Sequence, residues 1–232
     1  MAKLINGLYA ITPETGDTAR LLRDVEAALR GGASMLQYRA KKLAPNLKAN
    51  QAQALQSLCK KYRGPLIIND DTTLAASLSA SGVHLGSRDM PIGEAHQSLF
   101  SGMLVGVSCY DQLDLAVEAE KNGADYVAFG SFFPSTTKPQ AVRPSLDLLR
   151  QAKREISCPI VAIGGITLEN APLLIEAGAD AVAVISALFD SPEIEVTATR
   201  FAALFSPRRK SHVPSPTSGQ GDLYKYLFDK KN

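Results

Sequence analysis

The segment Pro159-Ile160-Val161-Ala162-Ile163-Gly164-Gly165-Ile166-Thr167 runs on to Gly178-Ala179-Asp180-Ala181-Val182-Ala183-Val184-Ile185-Ser186. It holds two short apolar runs, Pro159–Ile163 and Ala181–Ile185. Neither alternates with polar residues, the pattern of strands buried on both faces of a parallel sheet under helices. The stretch between them closes on Gly178-Ala179-Asp180. Glycine there supplies the left-handed cap that ends a helix before the chain turns into a strand. The unit reads strand, helix, strand.

The same unit recurs on the N-terminal side. Further strand candidates are Leu8–Ile11, Met35–Arg39, Leu66–Asn69, Val83–Leu85, Met103–Val107 and Tyr126–Gly130. Helical stripes lie between them: Leu21, Leu22, Val25, Ala28 and Leu29; Leu55, Leu58, Cys59 and Tyr62; Leu146, Leu149, Ala152 and Ile156. Gly31-Gly32-Ala33 and Gly123-Ala124-Asp125 repeat the closing signal. Eight such units in about 205 residues predict an α/β fold, a single-domain (β/α)8 TIM barrel over 1–205. An open doubly wound sheet would want a glycine-rich loop after the first strand. Thr12-Pro13-Glu14-Thr15-Gly16-Asp17 is not one.

Residues 206–232 differ in character. Pro207-Arg208-Arg209-Lys210 and Pro214-Ser215-Pro216-Thr217-Ser218-Gly219-Gln220-Gly221 cannot bury much apolar surface. They predict a polar, basic, disordered tail. Leu223–Phe228 is its one apolar patch, and an ordinary variable extension is the simplest reading of it.

The 232-residue chain is 45% hydrophobic with a net charge of +2. That net charge is too small to suggest a nucleic-acid surface by itself; the tail carries +4 and the rest −2, so the body is mildly acidic. Cys59, Cys109 and Cys158 are odd in number and widely spaced, as expected of free thiols in a reducing compartment. The N-terminus does not read as a signal peptide, and no apolar run approaches the roughly 20 residues of a membrane span. A cytoplasmic protein is expected, with no membrane partner and with homo-oligomerisation left open.

In such a barrel the chemistry sits at the carboxyl ends of the strands. Three cations fall there: Arg39, Lys41 and Lys138. Strand-like spacing would put Arg39 and Lys41 on one face, where converging cations invite phosphate or pyrophosphate. Salt bridging to neighbouring carboxylates is the plain alternative for any one of them. Asp70 and Asp89 end adjacent strands, and two carboxylates with phosphate oxygens commonly hold Mg2+. Each could instead start a helix, and one of Asp70 and Asp71 is expected to do so. His84, His96 and His212 make no zinc set. Gly164-Gly165 and Ile185-Ser186 end the last two strands, where barrels often bind phosphate through backbone N–H groups. A tight turn needing positive φ is the alternative for the glycine pair. Two anion sites, one beside a metal, with few groups suited to proton transfer, suggest chemistry driven by a departing pyrophosphate.

Five segments carry a resemblance. They are Gln37-Tyr38-Arg39-Ala40-Lys41, Ile68-Asn69-Asp70, Gly82-Val83-His84-Leu85-Gly86, Gly130-Ser131-Phe132-Phe133-Pro134-Ser135-Thr136-Thr137-Lys138 and Ala162-Ile163-Gly164-Gly165-Ile166. In order and spacing they are similar to the thiamine-phosphate synthase family over roughly residues 7 to 205. Each alone is weak; their succession along the strands is specific. The resemblance implies transfer of an aminopyrimidine methyl group from its diphosphate to a thiazole phosphate, giving thiamine phosphate and pyrophosphate. It implies that Arg39, Lys41, Asn69 and Lys138 grip pyrophosphate and that Asp70 and Asp89 ligate Mg2+. Gln37, within the segment Gln37 to Lys41 that includes Tyr38 and Ala40, would contact the pyrimidine, and Ser108 would sit by its diphosphate. Ser135, Thr136 and Thr137 would line the thiazole side, and Gly165, Ile185 and Ser186 would bind its phosphate. The implied mechanism is dissociative, with Arg39, Lys41, Ser108 and Lys138 as the catalytic set.

The chain departs from the family pattern at Tyr38 and Ala40, where Gln-Leu-Arg-Glu-Lys is more usual. It departs again at Cys109, where many relatives have histidine, and at Ser135, which replaces a more frequent threonine. Three rival readings remain. A thiazole tautomerase shares the barrel but relies on a histidine near the end of strand 5, where Cys109 and Tyr110 stand here. A Schiff-base aldolase would need Lys138 in an apolar pocket rather than after three hydroxyl residues. A non-catalytic barrel binding phosphorylated ligands would not need the carboxylate pair.

Overall fold

Short runs of Val, Ile, Leu and Ala leave no polar face for water, so these strands must be covered on both sides. In the computed structural model, which describes residues 5–86, 89–134 and 143–206, closure into a barrel provides that cover. The strands are β1 (Gly7–Ile11), β2 (Met35–Tyr38), β3 (Leu66–Asn69), β4 (Gly82–Leu85), β5 (Leu104–Tyr110), β6 (Tyr126–Gly130), β7 (Ile160–Ile163) and β8 (Ala181–Val184). All neighbours pair in parallel, in sequence order, and β8 closes on β1. The helices are α1 (Thr18–Arg30), α2 (Pro45–Tyr62), α3 (Thr72–Leu78), α4 (Ile92–Ser98), α5 (Leu113–Lys121), α6 (Leu146–Glu155), α7 (Ala171–Glu176), α8 (Ser186–Phe189) and α9 (Ile194–Ala203).

Successive side chains along a strand face opposite ways, and two cores result. Leu8, Ala10, Leu36, Leu66, Ile68, Val83, Val127 and Val182 pack outward against the helices, together with Val25, Leu55 and Leu149. Tyr9, Ile11, Met35, Ile67, Leu104, Tyr126, Val161 and Ala183 fill the barrel itself. At about 25 cal/mol per Å2 of buried apolar area, these two layers are the main stabilising term.

The local signals hold. Asp17 caps α1 by accepting from the Arg20 N–H, and Ser145 caps α6 by accepting from Leu148. Gly32, Gly123 and Gly178 adopt φ of 96, 92 and 116° after α1, α5 and α7, which only glycine does without strain. Strand limits shift by a residue or so from those read in the sequence, and β5 runs on to Tyr110 past a register shift at Ser108. No helix among the described residues is long and apolar enough to cross a membrane. The segment expected as a tail lies, from residue 207 on, outside the described residues.

Candidate active site

The carboxyl ends of β2, β3, β4 and β5 carry one half of the site. Gln37 faces the barrel interior and is almost fully buried. β2 stops at Tyr38, so Arg39 and Lys41 do not share a strand face as their spacing suggested. The chain leaves the sheet there because the β1 loop captures it. Arg39 N donates to Thr12 Oγ1 at 3.0 Å. Glu14 Oε1 accepts from the backbone N–H of Lys42 and, at 3.0 Å, of Leu43. Tyr38 turns outward, where its hydroxyl donates to Gln51 of α2; burial and the Glu14 charge push its pKa up to about 12. Ala40 is buried beside it. The side chains of Tyr38 and Ala40 are thus buried in packing beneath the loop.

At the end of β3 the two aspartates divide their labour. Asp71 caps α3, accepting from Leu74 N at 2.9 Å, and pairs with Lys48 at 2.7 Å. Burial alone would raise its pKa, but the Lys48 and Leu74 bonds win and hold it below the usual value. Asp70 is held in the left-handed region at φ 64. Its carboxylate points away from the helix to Lys41 Nζ, 2.8 Å off. A non-glycine residue in that region is uncommon, and such strain gathers at functional positions. Asn69, inward-facing and partly exposed, precedes it.

Asp89 does not cap α4, whose N-cap is Pro91. Its Oδ2 accepts from Gly86 N at 2.6 Å, which holds Asp89 beside the end of β4. One carboxylate oxygen is thus committed to the backbone, and the other has no hydrogen-bond partner among the described residues. Among the described residues no three His, Cys, Asp or Glu side chains form a metal cage. Asp70 and Asp89 stand at the ends of adjacent strands, and two carboxylates could serve an ion that takes most of its ligands from substrate and water, as Mg2+ does.

The other half lies over β7 and β8. A cleft of about 410 Å3 is lined by Pro134, Gly164, Gly165, Thr167, Ile185 and Ser186. The glycine pair makes the tight turn that positive φ allows. Gly164 and Gly165 have φ of 100 and 62°, and a Cβ on Gly165 would lie 2.3 Å from the Pro134 carbonyl oxygen. Glycine lets the β6 loop lie against the backbone and so shapes the cleft. Asn170 braces the turn, donating to Gly165 O and accepting from Thr167 N. Ser135, Thr136, Thr137 and Lys138 lie outside the described residues.

Beneath the rim runs a chain of polar side chains not anticipated from sequence. Gln37 Nε2 donates to Tyr9 OH at 2.9 Å, and Tyr9 OH shares a hydrogen bond with Tyr126 OH at 2.9 Å. His84 Nδ1 lies 3.1 Å from Tyr126 OH, and its Nε2 lies 2.9 Å from Ser108 Oγ. The Tyr126 ring fits because residue 106 is glycine: a Cβ there would fall 1.9 Å from the ring. Burial pushes the pKa of both tyrosines well up, so both phenols keep their protons.

Comparison with known proteins gives a consistent set of likenesses. Residues 8–188 match the model of the thiamine monophosphate synthase family. The chain is 53% identical to a thiamine-phosphate synthase of Nitrosospira multiformis, covering 91% of this chain and 89% of that one. It is 54% identical to one of Methylobacillus flagellatus, covering 87% and 96%. A solved thiamine phosphate pyrophosphorylase of Pyrococcus furiosus superposes with a TM-score of 0.77 at 32% identity, covering 88% of this chain and 96% of that one.

Proposed function

The chain belongs to the thiamine monophosphate synthase family, and we propose that it joins an aminopyrimidine methyl diphosphate to a thiazole phosphate, releasing pyrophosphate. The activity is that of its relatives, thiamine-phosphate synthase, a transferase. The observation that carries the reading in this molecule is the pairing of Lys41 with Asp70 at the mouth of the barrel, opposite the glycine-lined cleft. One side suits a diphosphate and the other a monophosphate.

On this reading Arg39, Lys41, Asn69 and Lys138 hold the diphosphate, and Asp70 and Asp89 hold Mg2+. Bound there, the ion would offset charge gathering on the leaving diphosphate. Gln37 fixes the pyrimidine ring and Ser108 sits by the diphosphate. Gly165, Ile185 and Ser186 hold the thiazole phosphate by backbone N–H groups, with Ser135, Thr136 and Thr137 along its side. The C–O bond breaks first, and the thiazole nitrogen captures the pyrimidine methyl cation. The protein's part is to fix two substrates face to face, keep water away and stabilise the departing charge. No protein nucleophile is needed. Burial keeps the described cysteines protonated, each with a pKa pushed up to about 12. Free thiols also suit a cytoplasmic setting.

Expression in a bacterial strain lacking thiamine-phosphate synthase tests the reading. Growth without added thiamine is expected with the natural chain and not with Asp70→Ala. Failure of the natural chain, at a normal protein level, would overturn it.

A further inference from the structure

The geometry points to Thr12 and Glu14 as positioning residues that hold the segment carrying Arg39 and Lys41 where those cations meet a diphosphate. This rests on the proposed function.

β2 ends at Tyr38 and α2 begins at Pro45, so residues 39–44 lie outside any regular element. Arg39, Lys41 and Lys42 put three like charges on that short stretch, and they repel one another. Ala44, the N-cap of α2, makes no side-chain capping bond. The stretch is held instead from the β1 loop. Thr12 Oγ1 accepts from Arg39 N at 3.0 Å. Glu14 Oε1 accepts from Lys42 N and Leu43 N. The two anchors bracket Lys41, one before it and one after it. A backbone N–H only donates and a carboxylate only accepts, so the roles in the Glu14 bonds are fixed. Glu14 takes hold of the backbone and leaves the cationic side chains to the rim, where Lys41 Nζ meets Asp70 at 2.8 Å.

The anchor is itself tied down. Thr12 is buried, and its N–H donates to Gln37 O at 2.9 Å. Gln51 of α2, fully buried, donates to Thr15 O at 3.0 Å and to Thr18 Oγ1 at 3.1 Å. The Thr15 carbonyl only accepts, so the Gln51 amide has one orientation, and its oxygen receives the Tyr38 hydroxyl proton. The β1 loop is thus bound to both flanks of the cationic stretch, through Tyr38 before it and α2 after it. Arg39 and Lys41 are preorganised for an anion in this way, and a misplaced charge loses much of its effect on a leaving group.

The test is steady-state kinetics of the natural chain, Glu14→Ala, Glu14→Gln and Thr12→Val, with inorganic pyrophosphate and Mg2+ as the probe. In Glu14→Ala the inhibition constant of pyrophosphate should rise about tenfold, while KM for thiazole phosphate stays within about twofold. Glu14→Gln keeps an oxygen that accepts from both N–H groups and should recover most of that loss. Thr12→Val, close in shape, should raise the pyrophosphate constant about threefold, and it serves if Glu14→Ala does not fold. A merely structural role would move both constants together. An unchanged pyrophosphate constant in folded Glu14→Ala, an equal rise in both constants, or Glu14→Gln as weak as Glu14→Ala overturns the inference. If the natural chain makes no thiamine phosphate, the proposed function has failed and this inference with it; if it does and the two constants do not part, only this inference has.

Discussion

Lys41 Nζ and Asp70 Oδ2 lie 2.8 Å apart across the ends of β2 and β3, and Asp70 makes that contact from a left-handed backbone at φ 64. The pair is half exposed, so it adds little to stability. Strain spent on a weak contact implies that the carboxylate is wanted there for something else.

Asp70 and Asp71 should therefore part company under mutation. Asp70→Gly relieves the left-handed strain and should leave the melting temperature unchanged or slightly higher, while abolishing turnover. Asp71→Ala removes the α3 cap and the Lys48 partner and should cost about 1–2 kcal/mol with turnover largely kept. The Asp71 pKa is lowered, so its stabilisation is present above its unfolded value of 3.8 and fades as pH falls below it. Urea denaturation of the natural chain and Asp71→Ala at pH 7 and pH 3 checks this: the gap should be narrower at the lower pH. A gap as wide at pH 3 as at pH 7 would mean that the charge does not matter.

Gly106→Ala should be severe for so small a change. The added methyl would sit 1.9 Å from the Tyr126 ring, with backbone strands on either side. Overpacking of this kind costs about 1–3 kcal/mol, which for a chain of this size lowers the melting temperature by roughly 2–4 °C per kcal/mol. Calorimetry beside an exposed control, Gly93→Ala, whose Cβ meets nothing, isolates the effect.

The three described thiols should be inert at neutral pH. Burial pushes Cys59, Cys109 and Cys158 up to about 12. At pH 8 only about one in ten thousand is then a thiolate. Ellman's reagent should react slowly with the native protein and quickly in urea, with Cys158, the only one of the three not fully buried, reacting first. The same shifts destabilise the fold in alkali. Raised folded pKa values favour the native state below the unfolded value near 8.5, and that advantage is lost as pH climbs toward 12. Urea midpoints should fall between pH 9 and 11. A midpoint that stays flat across that range would contradict the assignment.

The barrel was legible because its signals are local. Apolar runs, capping residues such as Asp17 and Ser145, and closing glycines such as Gly178 each act within a few residues. The positions of Gln37, Asn69 and Ser108 came from the family resemblance. What sequence did not reveal is non-local or conformational. Tyr9 and Tyr126 are 117 residues apart and look like ordinary aromatic residues in apolar runs. His84 stands in a segment that carries the family resemblance, but its partners are not legible there. Gly106 carries no turn; only the Tyr126 ring explains it. Lys41 was placed on a strand face that ends at Tyr38, because the pull of Thr12 and Glu14 on the next residues cannot be read from spacing.

Release of pyrophosphate by the purified chain, given aminopyrimidine methyl diphosphate and thiazole phosphate with and without Mg2+, tests the central claim most directly. Pyrophosphate and thiamine phosphate should appear in equal amounts, only with both substrates present, and EDTA should stop both. Folded protein that releases no pyrophosphate under any of these conditions would contradict the assignment.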